Sequence, residues 1–164
     1  MHAVYSNKNG MTTVGQETAL LKAYVDIMQM RFGSSFQYYN VIPTELFYYE
    51  IPAFTMQPIV ENAILHGVKG VPAGQIIVSA IEYENDFVIS VFNNGNSAYK
   101  KKIEDLLKGE KNQRAVTVIG LYNVNSRLKL LYGESYGLMY NEKVRNGFEI
   151  WVRLPKKITE SEER

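Results

Sequence analysis

Residues 1–10 are polar and without periodicity, which predicts a frayed lead-in. Over 12–32 the pattern turns helical. Leu20, Leu21, Tyr24, Ile27, Met28 and Met30 form a broad apolar stripe and Gly33 supplies the stop. Aromatic and β-branched residues over 36–42 predict a strand that Pro43 ends, because proline has no N–H to give to a ladder. Ile51-Pro52 breaks the chain again. Residues 54–67 predict a second helix, with Met56, Ile59, Val60, Ala63 and Ile64 on one side and Gly67 as its C-terminal signal. At about 100° per residue, Asn62 and His66 share one flank of that stripe, and Gln57 and Glu61 share the other.

Two strands follow, 75–83 and 87–93, joined tightly at Asn85-Asp86. The connection 94–119 carries a basic amphipathic piece at 99–107 and a featureless stretch at 109–118. Its length predicts a functional lid or a disordered segment. Residues 120–132 predict a third core helix, with Leu121, Val124, Leu128 and Leu131 on one face and Gly133 ending it. Strands at 138–144 and 148–154 flank Asn146-Gly147, the strongest hairpin signal in the chain. Strands that come in hairpins argue for an α+β fold, a two-layer sandwich of a mixed sheet with helices on one face. The expected organisation is a lead-in or remnant at 1–11, one domain at 12–155 opened by the helix at 12–33, and a charged tail at 156–164.

Composition narrows the chemistry. With 164 residues, 46% hydrophobic, the chain can bury roughly 70% of its unfolded surface without staples. The absence of cysteine excludes disulfides, thiolate zinc and a cysteine nucleophile. Eighteen basic residues against 17 acidic ones leave a net charge of +1, with no electrostatic footprint for nucleic acid or a membrane surface. No apolar run approaches the roughly 20 residues of a membrane span. The 12 tyrosines fall mostly in strands and on helix faces, which favours packing over base stacking. Lys100, Lys101, Lys102 and Lys108 read as solvated charge on the long connection.

Three islands hold the candidate chemistry: 52–67, ending in Glu61-Asn62-Ala63-Ile64-Leu65-His66-Gly67; 91–97, with Asn93-Asn94-Gly95-Asn96-Ser97; and 117–133, with Gly120-Leu121-Tyr122-Asn123 and Arg127. In that order and spacing they resemble the ATP-binding domain of sensor histidine kinases of the YesM/LytS group, within the gyrase, Hsp90, histidine kinase and MutL superfamily (the Bergerat, or GHKL, fold). The islands are similar to the N box and the two glycine boxes of that family, and the resemblance spans about 12–155.

The resemblance implies ATP and Mg²⁺ as ligands. It assigns Asn62 as the Mg²⁺ ligand, in keeping with the oxygen donors that hard cation takes. Glu61, on the other flank of the helix, either polarises the site in a catalytic role or holds Gln57 or a backbone amide. On the residues alone, His66 is either a phosphate or lid donor or a satisfied edge histidine; Asn123 and Arg127 fall on one side of the third helix and can face the nucleotide or the lid, with a structural ion pair as the other reading of Arg127. Asn93 stands where the family carries an aspartate that accepts from the adenine amine; an amide oxygen can also accept, but must be oriented. Gly95 allows close approach of the backbone, and Ser97 replaces a second glycine. Gly120 and Leu121 fall at the expected start of the third helix, where free N–H groups can cradle phosphate. Val118 replaces a further family glycine.

A histidine kinase also needs a phosphoacceptor histidine, and neither His2 nor His66 is suitably placed. The resemblance therefore implies a catalytic fragment. It would act on a dimerisation helix outside this sequence, serve a response regulator, and come from a homodimeric parent anchored in the bacterial plasma membrane with this part in the cytoplasm. The departures at Asn93, Ser97 and Val118 leave a second expectation, a degenerate regulatory module without kinase activity. A superfamily ATPase that hydrolyses ATP without a histidine acceptor is the third.

Overall fold

The structure is a computed structural model that describes residues 9–33, 36–95, 100–108 and 116–158, with side chains from 119 onward in the last segment. Among the described residues, seven strands and four α-helices follow in chain order: β1 (Met11–Thr13), α1 (Val14–Phe32), β2 (Phe36–Asn40), β3 (Glu50–Pro52), α2 (Gln57–Asn62), β4 (Gly74–Glu82), β5 (Asp86–Asn93), α3 (Lys100–Leu107), α4 (Val116–Tyr132), β6 (Gly137–Tyr140) and β7 (Phe148–Pro155). A 3₁₀ turn occupies Thr44–Leu46, and a π-helical segment, Ala63–Val68, continues α2.

Five strands make one mixed sheet in the order β2-β4-β5-β7-β6. Here β2 runs parallel to β4 and every other pair is antiparallel. Alternation sets which face is buried: Ile76 and Val78, Phe87, Ile89 and Val91, and Phe148, Ile150, Val152 and Leu154 point into the core. Against them pack Leu21, Val25 and Met28 of α1, Ile59 and Val60 of α2, Ile64 of the π-helical segment, and Leu121, Val124 and Leu128 of α4. The opposite sheet face leaves Ile81 and Met139 exposed. The expected two-layer α+β sandwich is what the chain forms.

Several local readings need correction. The helix expected from residue 12 starts at Val14, because Thr13 caps it: its hydroxyl accepts Gln16 N–H at 3.1 Å while Gln16 Oε1 accepts Thr13 N–H at 3.3 Å. That frees residues 11–13 to pair with β3 in a small second sheet that periodicity could not show. Ile27, Met30 and Leu131, counted as core, are exposed. The strand expected to reach residue 144 ends at Tyr140, where Asn141 Oδ1 takes Lys143 N–H at 3.1 Å and turns the chain. Residues 156–158 are tied down: Glu50 N–H donates to Lys157 O at 2.6 Å, and Ile158 bridges Tyr49.

One buried charge stands out in the helical layer. Glu17 of α1 is 2% exposed, and burial pushes its carboxyl up to about 7. The backbone N–H groups of Met56, Thr55 and Phe54, with Arg127, oppose that rise. A raised carboxyl pKa favours the protonated form in the fold. The associated stability is complete below the unfolded value and is lost as pH rises to about 7. Glu17→Gln therefore gains stability relative to the parent between pH 5 and pH 8, by an amount on the order of 3 kcal/mol. Denaturant unfolding at the two pH values reads this; equal differences at both would contradict it.

Candidate functional site

The site is built where α2, its π-helical continuation and the end of the central strand meet. Asn62 is the last residue of α2. It is 6% exposed, and among the described residues its Oδ1 is buried with no hydrogen-bond partner. An orphaned amide oxygen costs on the order of 1–3 kcal/mol, so it marks a place that a ligand would complete. Glu61, beside it, is exposed and lies towards α1, where its charge adds to burial in raising the Tyr24 phenol to about 12. The angle expected between Asn62 and His66 assumed a straight α-helix. From Ala63 the wider π-helix takes over, closed by Lys69 N–H on Ile64 O at 3.1 Å.

His66 sits half-buried on that segment. Burial holds its imidazole below the ordinary histidine value, Lys102 and Lys69 lower it further, and Glu61 opposes them. The ring is therefore neutral at pH 7 and lies beside two cations, one of them on α3. Gly67, read from sequence only as a helix stop, is a packing surface: a Cβ there would meet Asn93 Oδ1 at 2.7 Å. Asn93 is the last residue of β5, paired with Ile76 on one side and Phe148 on the other. It is 3% exposed, and its Oδ1 accepts Gly95 N–H at 3.1 Å. A Cβ on Gly95 would fall 1.9 Å from Gly67 O, and one on Gly147 2.0 Å from Asn93 O.

The residues of the third island are placed differently from one another. Helix α4 begins at Val116, so Gly120 and Leu121 lie beyond the first turn, where N–H groups are spent on helical bonds. The open amides expected at Gly120 belong earlier in the chain. Gly120 faces Pro58 of α2, with 3.5 Å to a built Cβ; Leu121 is fully buried in the core; and Asn123 is exposed. Arg127 donates from Nη2 to Ala53 O at 2.7 Å, bracing the turn before α2. Ser97, His2 and the side chain of Val118 lie outside the described residues.

Sequence reasoning missed three supports. Asn94 ties the loop after β5 to β4, accepting Gln75 N–H at 2.6 Å and donating to Ala73 O at 3.1 Å; its place beside Asn93-Gly95 was the available signal. Asn125 accepts Leu138 N–H at 2.9 Å and joins α4 to β6. Glu17 gave no signal, since a charge inside an apolar stripe reads as its polar edge.

This sheet and helical layer define a class. The chain has the fold of histidine kinase catalytic domains, superposing on that of ThkA with TM-score 0.64 at 12% identity over 89% of this chain and 96% of the other. The mycobacterial sensor histidine kinase MprB gives 0.59 at 12% identity over 87% and 95%. In sequence the chain is related to sensor histidine kinases. It is 32% identical to sensor protein LytS of Bacillus anthracis over 90% of its length, and 34% identical to sensor histidine kinase YpdA of Escherichia coli over 89%. It spans about a quarter of the length of these relatives. No family model matches it.

Two measurements test this geometry. Gly95→Ala must separate the β5 end from the π-helical segment, and unfolding should show a loss of at least about 1–3 kcal/mol, the range for overpacking; an unchanged midpoint would contradict the contact. In an NMR titration, Lys69→Met raises the His66 pKa, because a like charge is removed. No upward shift would place Lys69 away from the ring.

Proposed function

We propose that this chain is the ATP-binding catalytic domain of a two-component sensor histidine kinase. It would bind Mg·ATP and present the γ-phosphate to a histidine on a dimerisation helix of the parent protein. The observation that carries the reading is the buried, unpartnered Oδ1 of Asn62, one helix end away from the Gly67–Asn93–Gly95 junction. A neutral amide oxygen is a suitable single protein donor to Mg²⁺, which otherwise keeps water and phosphate oxygens. When bound, the cation would neutralise the charge of the triphosphate. The protein's share is positioning and electrostatics, which dominate phosphoryl transfer.

The residues divide that work. Asn62 would hold the cation, with Glu61 exposed beside it. Asn93 would face the base: its Oδ1 accepts one N–H from Gly95, and a carbonyl oxygen has a second lone pair to offer an exocyclic amine. Gly95 lets backbone approach without a side chain. Lys69 and Lys102 make the edge around neutral His66 positive, which suits phosphate although the whole chain carries only +1. Backbone amides at the start of α4, ahead of Gly120 and Leu121, would serve the phosphates, with Asn123 on the exposed side. Arg127 acts from behind, on the 53–56 turn. The expected partners are the parent's phosphoacceptor region and a response regulator, in a homodimeric, membrane-anchored parent. No helix among the described residues is itself long and apolar enough to cross a membrane.

Calorimetric titration of Mg·ATP into the chain and into Asn62→Ala tests the reading. The parent should bind saturably, and the variant should lose the Mg²⁺-dependent part of the affinity. Absence of binding at millimolar nucleotide, or equal Mg²⁺ dependence in both, would refute it. Asn93→Asp should tighten adenine nucleotides, since a carboxylate accepts a charge-assisted bond.

A further inference from the structure

The turn that leads into α2 is held from two sides and is strained. Phe54 adopts φ 62 although it is not glycine, and its side chain is largely exposed, so the bonds made by neighbouring elements are what hold the turn. Three bonds fix the turn: Arg127 Nη2 of α4 to Ala53 O at 2.7 Å, Thr55 Oγ1 to Pro52 O at 2.6 Å, and Met56 N–H to Glu17 Oε2 of α1 at 3.2 Å. Glu17 and Arg127 thus reach opposite ends of one four-residue turn from two different helices.

Both are costly residues to bury. Among the described residues Glu17 Oε1 and Arg127 Nε are buried without a well-formed hydrogen bond, and an apolar side chain at either position would avoid that cost. The turn is continuous with α2, whose last residue is Asn62. We propose that Glu17 is a positioning residue for the nucleotide site. Its buried carboxyl fixes the 53–56 turn and the seat of α2, so that a change in α1 reaches Asn62 through this contact. Only the consequence for ligand binding rests on the function proposed above; the mechanical link is independent of it.

The link has a chemical handle, because the state of the carboxyl can be changed without mutation. Arg127 from α4 is the charged group acting on Glu17; beyond it Arg127 also acts on Tyr132, as does Glu50 of β3. With the carboxyl pushed up to about 7, raising the pH through neutrality ionises it and strengthens its hold on the Met56 N–H.

The test uses the nucleotide-free, isotope-labelled chain, followed by NMR from pH 5.5 to 8.5. The Met56 backbone N–H and the Asn62 side-chain NH₂ should titrate together with a midpoint near 7. Glu17→Gln should abolish that titration in both, while Leu21→Ala, a buried change on the same helix, should leave it in place. A Met56 titration with Asn62 unmoved, or a curve that persists in Glu17→Gln, would overturn the proposal. The parent's own titration decides the matter even if a variant does not fold. In a second arm, Glu17→Gln should weaken Mg·ATP binding about five- to tenfold and flatten its pH profile. Parent protein that binds no nucleotide would count against the proposed function while leaving the NMR result to decide the link. Binding in which the variant keeps the parent's pH profile would count against the link itself.

Discussion

The close approach of Gly95 to the carbonyl of Gly67 is the constraint on which the arrangement depends. It allows no side chain between the end of the central strand and the π-helical segment. Because the two backbones touch, the Asn93 amide is pressed flat under Gly67 and its oxygen turned to the Gly95 N–H. Gly147 covers the Asn93 carbonyl from the last hairpin in the same way. Three segments distant in sequence are thereby fixed to one another by backbone contact, which holds position more tightly than flexible side chains do. The orphaned oxygen of Asn62 lies at the start of the segment so fixed.

The other end of that helical stretch is held by different chemistry. At the 53–56 turn, polar side chains from α1 and α4 reach into the interior and accept exposed-phase costs of desolvation to grip backbone groups. One end is thus rigid through absence of side chains, and the other is adjustable through the titratable carboxyl of Glu17, set against the fixed charge of Arg127. The π-helical turn between them lets the helix change its face between Asn62 and His66.

Much of this was legible in the sequence, for identifiable reasons. The sheet was readable because β-branched and aromatic runs at 75–83, 87–93 and 148–154 are punctuated by Asn85-Asp86 and Asn146-Gly147. The order of the three islands carried the likeness to the kinase fold. What escaped was set by tertiary contact. Residues 11–13 pair with β3 only because the Thr13 cap delays the helix. Ala63–Val68 widens into a π-helix that α-periodicity does not announce. The start of α4 at Val116 moves Gly120 off the helix end, and Glu17 looks like an ordinary polar position until its burial is seen.

A crystal structure of the chain with Mg²⁺ and a non-hydrolysable ATP analogue tests the central claim most directly. The account predicts the metal at about 2.1 Å from Asn62 Oδ1, with the base against Asn93 and Gly95. An analogue seated elsewhere, for instance on the open sheet face beside Ile81 and Met139, or a metal held without Asn62, would contradict it.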